Sequence, residues 1–425
     1  MKKKRSDERS VITRRHFLEH LGLVGGASVV MGAMSSWDLM GYQGATRPVL
    51  TGRPAGTKVI VLGGGVSGLT TCYELNKLGY DVQILEARER VGGVNWTIRR
   101  GTEHTELGTG GEHQVCQFDE GMYVNAGPWR IPHTHTGVLD YCKELGVPLQ
   151  IFINEAEASY IYSEGKDAGA MAGKRVRLRE VKADLLGYSS ELLAKCVDQD
   201  RLDMPLSAED KERLLTFLVT EGYLDSTDHV YKGSTARPGD PYDFKQLLAS
   251  GFGSRVRSVL GGTGQAPMFQ PIGGIDQFPK GFQRALGSKI MLGAEVQSVH
   301  QTPEGVTIAY METANGKKHE VKADFCVSCL PLSIVSGLDI NLSPEMMTAV
   351  KATTYSPIGK MGLQMKRRFW EEDDRIFGGH LYSDLPLGEF SYPSNDFFGK
   401  KGVLLGFYGN GRMNDLVNQP VKARL

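Results

Sequence analysis

Residues Lys58 to Gly93 read KVIVLGGGVSGLTTCYELNKLGYDVQILEARERVGG, and this stretch limits the fold more than any other. Val59-Ile60-Val61-Leu62 is a short apolar run, the pattern of a parallel strand buried on both faces. Gly63, Gly65 and Gly68 follow at G-x-G-x-x-G spacing. The first permits a tight turn, the second lets backbone N–H groups approach a pyrophosphate, and the third lets the next helix pack close to the strand. Leu69, Cys72, Tyr73 and Leu78 form a helical apolar stripe that stops at Gly79, a C-cap residue. Asp81 to Leu85 reads as a second strand, closed by Glu86 eighteen residues beyond Gly68. A carboxylate there accepts hydrogen bonds from both ribose hydroxyls and repels a 2′-phosphate, so the nucleotide is of the NAD or FAD type rather than NADP. The competing reading is a glycine-rich turn in an unrelated α/β protein, which has no need of the strand, helix, second strand and acid in that order.

A chain of 425 residues can bury a sizeable core and hold two or three domains. Its 49 basic and 49 acidic residues balance, so no global field points to nucleic acid or an anionic membrane. Six cysteines are too few for a disulfide scaffold. Cys326 and Cys329 form a C-x-x-C inside an apolar run, but three apart on a strand they point to opposite faces, which reads as core packing. The N-terminus has the layout of a twin-arginine export signal: a basic Met1–Arg15, Arg14-Arg15 followed by Phe17-Leu18, and a glycine-containing apolar stretch from Leu21 to Met34. That stretch is too short for a stable membrane span, and Ala33-Met34-Ser35 is a cleavage candidate. An uncleaved leader is the alternative. A periplasmic or secreted protein, handed to the twin-arginine export machinery after folding, is the expectation.

Further on, Asn95 to Gly111 is polar and turn-rich, and Thr134 to Leu145 has helical spacing. Two β-like runs, Ser159–Tyr162 and Arg175–Leu178, precede a helical region from Glu180 to Thr220, where Ser207 and Asp210 resemble a capping box. Strands then dominate: Ile290–Leu292, Ala294–His300, Val306–Met311 with a hairpin signal at Asn315-Gly316, a buried Phe325–Leu330, Tyr355–Met365 and Gly402–Tyr408. The pattern predicts an α/β chain with a doubly wound nucleotide unit and an interleaved second domain. His133 and His135 lack a third ligand at a recognisable spacing and read as helix-start surface residues, so no metal is expected. His104 and His113 sit in the polar loop and are set aside as catalytic bases.

Glu86 is followed by Ala87-Arg88-Glu89-Arg90-Val91-Gly92-Gly93, and a plain NAD domain has no reason for that second glycine pair. The run resembles the flavin amine oxidase superfamily. Asn125-Ala126-Gly127-Pro128-Trp129-Arg130-Ile131-Pro132 is similar to the glycine–proline–x–arginine segment of L-amino acid oxidases. Similarity extends from Lys58 to about Gly411 and is thinnest through 156–265. The resemblance implies FAD, with Gly63, Gly65, Val66, Ser67, Gly68, Glu86 and Ala87 along its ADP half, Gly92 and Gly93 beside it, and Val296 at the adenine through its backbone. It places Gly127, Pro128, Trp129 and Arg130 along the cofactor at the isoalloxazine, Arg130 and Tyr408 on a substrate carboxylate, and Lys360, the catalytic candidate, near flavin N5 through a water. The structural alternatives are an ion pair for Arg130, a solvated strand-end lysine for Lys360 and core packing for Tyr408.

The domain boundaries expected on this basis are a signal segment 1–36, a linker 37–56, FAD-binding parts 57–95 and 266–353, substrate-binding parts 96–155 and 354–425, and a helical subdomain 156–265. The expected fold is a Rossmann-like FAD-binding domain, an interleaved mixed-sheet substrate domain and that helical subdomain. The implied reaction is oxidation of an L-amino acid by O2 to a 2-oxo acid, with ammonia and hydrogen peroxide released. Two departures from the family pattern stand out: Val94 occupies the place of an arginine after Gly92-Gly93, and the sequence stops at Leu425 before a last FAD segment. The alternatives are a flavin monoamine oxidase, an amino-acid 2-monooxygenase of the tryptophan type, or a fragment that holds little FAD. The preferred side chain is not readable from sequence, and the oligomeric state stays open, a homodimer among the options.

Overall fold

The structure, a computed structural model, describes residues 50–424 apart from 52–53, 55, 107–110, 203–204, 236–238, 256–266, 356–357 and 410–413. The twin-arginine segment and most of the linker lie outside the described residues.

The fingerprint region forms strand β1 (Lys58–Leu62), helix α1 (Val66–Lys77) and strand β2 (Asp81–Leu85). Gly79 follows the helix with φ +88°, the left-handed conformation that lets the chain turn into β2. β1 and β2 are the middle of a four-stranded parallel sheet, with Ile290–Met291 beside β2 and Phe325–Ser328 beside β1. Alternation along β1 splits its side chains between two cores. Val59 and Val61 pack with Leu69 and Cys72 of α1 and with Phe278 and Phe282 of the helix Gln277–Leu286. Ile60 and Leu62 face an antiparallel sheet and pack with Ala294, Val296 and Ile308. Burying such side chains from both faces contributes about 1.5–3 kcal/mol each, which fixes the turn after β1 to a rigid base.

The C-x-x-C residues fall where a strand period requires. Cys326 packs in the core on the antiparallel-sheet side and Cys329 in the core on the helix side, and both thiols are free. Desolvation pushes the Cys326 thiol up to about 11. The run from Phe325 is not a buried central strand, however. It spans Phe325–Ser328 at the end of the sheet's strand order, and Phe325 is 63% exposed. An apolar run tells that a strand has packing partners but not whether it has a neighbour on each side.

The hairpin at Asn315-Gly316 forms as expected, with Met311 opposite Lys318 and Gly316 at φ +73°. A second, six-stranded mixed sheet runs in the order Val176–Arg177, Tyr160–Tyr162, His380–Ser383, Glu389–Ser391, Gly402–Gly409, Gly359–Met365. Helices Leu178–Asp198 and Ala208–Glu221 make the helical region, and Ser207 caps the second by accepting from the Asp210 N–H at 3.1 Å. The polar stretch after Asn95 is more ordered than its composition suggests. Thr97–Arg99 pairs with Tyr123–Asn125, and Glu103–Glu106 pairs with Glu112–Val115. The architecture is thus α/β, with a Rossmann-like parallel unit, a mixed sheet and a helical region. Among the described residues no helix is long and apolar enough to cross a membrane.

Candidate active site

Three backbone segments are pressed together above the C-terminal end of β1. The turn Gly63–Gly65 leads into α1, and the Gly92 N–H donates to the Gly64 carbonyl at 2.7 Å. Gly93 lies against Gly65, where an added Cβ would stand 3.3 Å from the Gly65 Cα. On the other side, a Cβ on Gly127 would fall 1.7 Å from the Val94 carbonyl oxygen. The second glycine pair is therefore the layer between the fingerprint turn and the Gly127-Pro128-Trp129-Arg130 segment.

Glu86 pins this arrangement. It is 7% exposed, and its carboxylate accepts from the Gly64 N–H at 2.6 Å and the Arg88 N–H at 2.9 Å. Each carboxylate oxygen keeps a second acceptor position for a ribose hydroxyl. Gly65 is different from its neighbours: a Cβ there meets nothing within 4 Å. The open space lies at the N-terminus of α1, where orphan N–H groups and the helix dipole favour a diphosphate. Val66 and Ser67 open that helix, with Ser67 and Ala87 exposed. The observed turn fits the diphosphate of a dinucleotide.

A cavity of about 1010 Å³ connects this region to the mixed sheet. That is at the upper end of the ~300–1,000 Å³ usual for small-molecule sites. Its wall includes Arg88, Arg90, Gly93 and Val94, and with them Gly127, Pro128, Trp129, Arg130, Lys360 and Tyr408. The Arg130 guanidinium lies 4.6 Å from the Trp129 ring centre, and the Lys360 ammonium lies 3.9 Å from it. Tyr408 meets Trp129 edge-to-face at 4.6 Å. Lys360 also donates to the carbonyls of Gly127 and, at 3.4 Å, Asn125. Two basic side chains thus contact one indole ring beside a cavity, an arrangement suited to an anion.

Val296 is set apart from this group. Its side chain is in the core against β1, and its backbone pairs with Tyr310 next to a bulge. Its strand begins beside Glu86, since the Ala294 N–H donates to the Glu86 carbonyl at 2.8 Å. His133 and His135 are exposed at the start of helix Thr136–Glu144, away from the cavity wall. His104 and His113, by contrast, do line the cavity, together with Glu103. They sit on the paired strands that the polar composition concealed, and His104 packs against Trp96 at 5.4 Å. Arg90 stacks on the other side chain partner of that corner, 4.6 Å from the Trp96 ring, and donates to the Gly93 carbonyl at 2.9 Å. A positive charge therefore stands next to Val94 even though residue 94 carries none.

Burial pushes the Lys360 amine down to about 7, the Arg130 charge adds to the effect, and Glu389 opposes it. The folded value lies below the ordinary 10.5, so between pH 7 and 10.5 the native state holds fewer protons than the unfolded chain. The destabilisation is complete below that window and is relieved as pH rises through it. Urea titrations at a series of pH values should show that Lys360→Met loses this rise relative to the wild type. Parallel pH dependences in the two proteins would refute a buried amine at this position.

A parallel sheet with a glycine turn at a helix N-terminus, beside a cavity lined by basic and aromatic side chains, is the layout of an α/β protein with a dinucleotide site. The chain belongs to the flavin-containing amine oxidoreductase family, whose sequence model matches residues 66–425, and membership implies a flavin cofactor. It is similar to an L-amino-acid oxidase from Demansia vestigiata, 28% identical over 364 residues that cover 82% of this chain and 65% of that protein. It is also similar to an L-amino-acid oxidase from Echis ocellatus, 27% identical over 374 residues covering 83% and 68%. The chain thus spans about two thirds of the length of these relatives. Among solved structures, putrescine oxidase bound to putrescine superposes with a TM-score of 0.54 at 20% identity, covering 87% of this chain and 79% of that one. Cyclohexylamine oxidase from Brevibacterium oxydans IH-35A superposes with a TM-score of 0.53 at 18% identity, with the same coverage. At such identities the likeness is one of fold.

Proposed function

We propose that the protein is an FAD-dependent L-amino acid oxidase. The observation that carries this reading is Arg130, which lines the same cavity as Gly93, Lys360 and Tyr408. A guanidinium offers a carboxylate two parallel, charge-assisted hydrogen bonds, and that fork orients the α-carbon. The overall reaction takes an L-amino acid, O2 and water to a 2-oxo acid, ammonia and hydrogen peroxide. FAD, when bound, supplies the two-electron oxidation and passes the electrons to oxygen. Gly63, Gly65, Val66, Ser67 and Gly68 would hold its diphosphate, Glu86 and Ala87 its ribose, and the Val296 backbone its adenine. Gly127, Pro128 and Trp129 would border its ring. Arg130 and Tyr408 bind and orient the substrate, and Trp129 excludes water from one side. Lys360, part neutral near pH 7, holds a proton or releases it within the site.

On this reading, residues 57–95 and 266–353 form the FAD-binding domain, 96–155 and 354–425 the substrate-binding domain, and 156–265 the helical subdomain. The protein acts outside the cytoplasm, delivered by the Arg14-Arg15 signal. Replacing both arginines by lysine should block export of a reporter fused to residues 1–49, and unaltered export would refute the route.

One observation favours a second reading, an oxidase of simple amines. Glu389 stands in the electrostatic surroundings of Lys360, and a carboxylate there suits a cationic amine better than a second carboxylate. The deciding assay supplies FAD and oxygen with a panel of L-amino acids, putrescine and cyclohexylamine, and follows peroxide, ammonia and 2-oxo acid. Peroxide with amino acids alone supports the first reading. Peroxide with amines alone overturns it, as does an amide with carbon dioxide, which marks a monooxygenase.

A further inference from the structure

We propose that Glu389 is a positioning residue for Lys360: seated by the buried His380, its carboxylate is the counter-charge that keeps the Lys360 ammonium next to Arg130 on the face of Trp129. The inference deepens the proposed function, since it concerns how that site holds its lysine.

Strand register carries the argument. Lys360 is opposite Tyr408, Tyr408 is opposite Glu389, and Glu389 is opposite Tyr382. Directly opposed residues on neighbouring strands project from the same face, so these four side chains form one row across the sheet. Two strand spacings separate Lys360 from Glu389, about 10 Å at the backbone, with the Tyr408 side chain between them. His380, two residues before Tyr382, shares that face. Its side chain is wholly buried, and Nδ1 lies 2.9 Å from Glu389 Oε1. Nδ1 also meets Ser391 Oγ at 2.5 Å, and Nε2 meets Asn154 Oδ1 at 3.3 Å, so the ring is held from two sides. It also packs edge-to-face on Trp129 at 6.4 Å. Trp129 is therefore packed against His380 and also contacts Arg130 and Lys360.

The charged groups around the Lys360 amine are Arg130, from the Gly127–Arg130 segment, and Glu389, from its own sheet. Tyr408 adds a ring 4.9 Å away, and the Asn125 and Gly127 carbonyls accept its protons. Arg130 and burial favour the neutral amine, and Glu389 alone of the two charges favours the ammonium. Two buried cations without an anion would separate or lose a proton.

Reductive ¹³C-methylation of the full chain and NMR titration of the Lys360 signal, assigned by its loss in Lys360→Met, tests this directly. Glu389→Gln should lower the midpoint of the Lys360 titration by about one pH unit, a tenfold change in proton affinity. His380→Gln, which unseats Glu389 and leaves its charge in place, should lower it in the same direction by less. Midpoints equal to the wild type in both variants overturn the proposal, and if Glu389→Gln does not fold, His380→Gln decides alone in the same sense. The readout needs no turnover. A shifted Lys360 in a protein that oxidises neither amino acids nor amines would sink the proposed function and leave this inference standing.

Discussion

Arg130→Ala is expected to lower kcat/KM for amino acids by about 100-fold or more while the purified protein keeps its flavin spectrum. Hydrogen bonds to charged groups contribute about 1.5–3 kcal/mol each, so losing a two-pronged contact costs at least ~3 kcal/mol, or roughly 100-fold. Most of the loss should appear in KM, because the clamp acts on bound substrate before the chemistry as well as during it. Arg130→Lys should recover only part of the activity, since an ammonium restores the charge without the fork. Flavin retention is expected because the turn suited to the diphosphate is built from Gly63–Gly65 and Glu86, and Arg130 is not part of it. Steady-state kinetics and the absorbance of the purified variants measure both effects. An Arg130→Ala enzyme with wild-type kcat/KM would remove the carboxylate clamp, and with it the main ground for preferring amino acids over amines.

What the sequence discloses about this site depends on how far apart the contributing residues lie. The dinucleotide turn is legible because its parts are consecutive: β1, the glycines, α1 and β2 occupy Lys58 to Leu85, and each has a local physical signature. The second glycine pair is legible as an oddity, and the structure supplies its reason, a backbone layer with no room for side chains at Gly127 or Gly92. The cationic end is another matter. Lys360, His380, Glu389 and Tyr408 meet only because their strands lie next to one another in the six-stranded sheet, and no local pattern encodes that order. Lys360 and Tyr408 were reachable through family resemblance, whereas His380 and Glu389 were not. His104 and His113 escaped for a different reason. Strands Glu103–Glu106 and Glu112–Val115 have no buried face, so they lack the apolar alternation that betrays a strand. Phe325–Ser328 errs the opposite way, apolar enough to look central while lying at an edge.

Gly68→Ala and Gly65→Ala should fail in different ways, though both remove one glycine from the same motif. At Gly68 an added Cβ would stand 1.9 Å from the Gly63 carbonyl oxygen and 3.3 Å from Val61 Cγ1. Gly63 cannot move aside easily. Its N–H donates to the Leu85 carbonyl at 2.8 Å, its φ is +95°, and its own outer side is closed by Leu330 and Cys329. Helix α1 must then lift off β1, which opens the core shared by Val61, Leu69 and Cys72. Overpacking against backbone costs about 3 kcal/mol or more. Gly68→Ala is expected to lower the urea midpoint of the flavin-free protein and to take up no FAD. At Gly65 the backbone is ordinary, with φ −69°, and nothing lies within 4 Å of the added methyl group. The fold should be untouched and the urea midpoint unchanged. The methyl group instead projects into the opening at the helix N-terminus, where a diphosphate would meet the first N–H groups of α1. FAD affinity should fall by about tenfold or more, since a lost close contact there forfeits at least one charge-assisted hydrogen bond of ~1.5 kcal/mol. Fluorescence titration of FAD into both apoproteins, beside their urea curves, separates the two mechanisms. Wild-type affinity in Gly65→Ala would mean that the diphosphate does not sit at this turn, and the placement of the cofactor along the cavity would have to be abandoned.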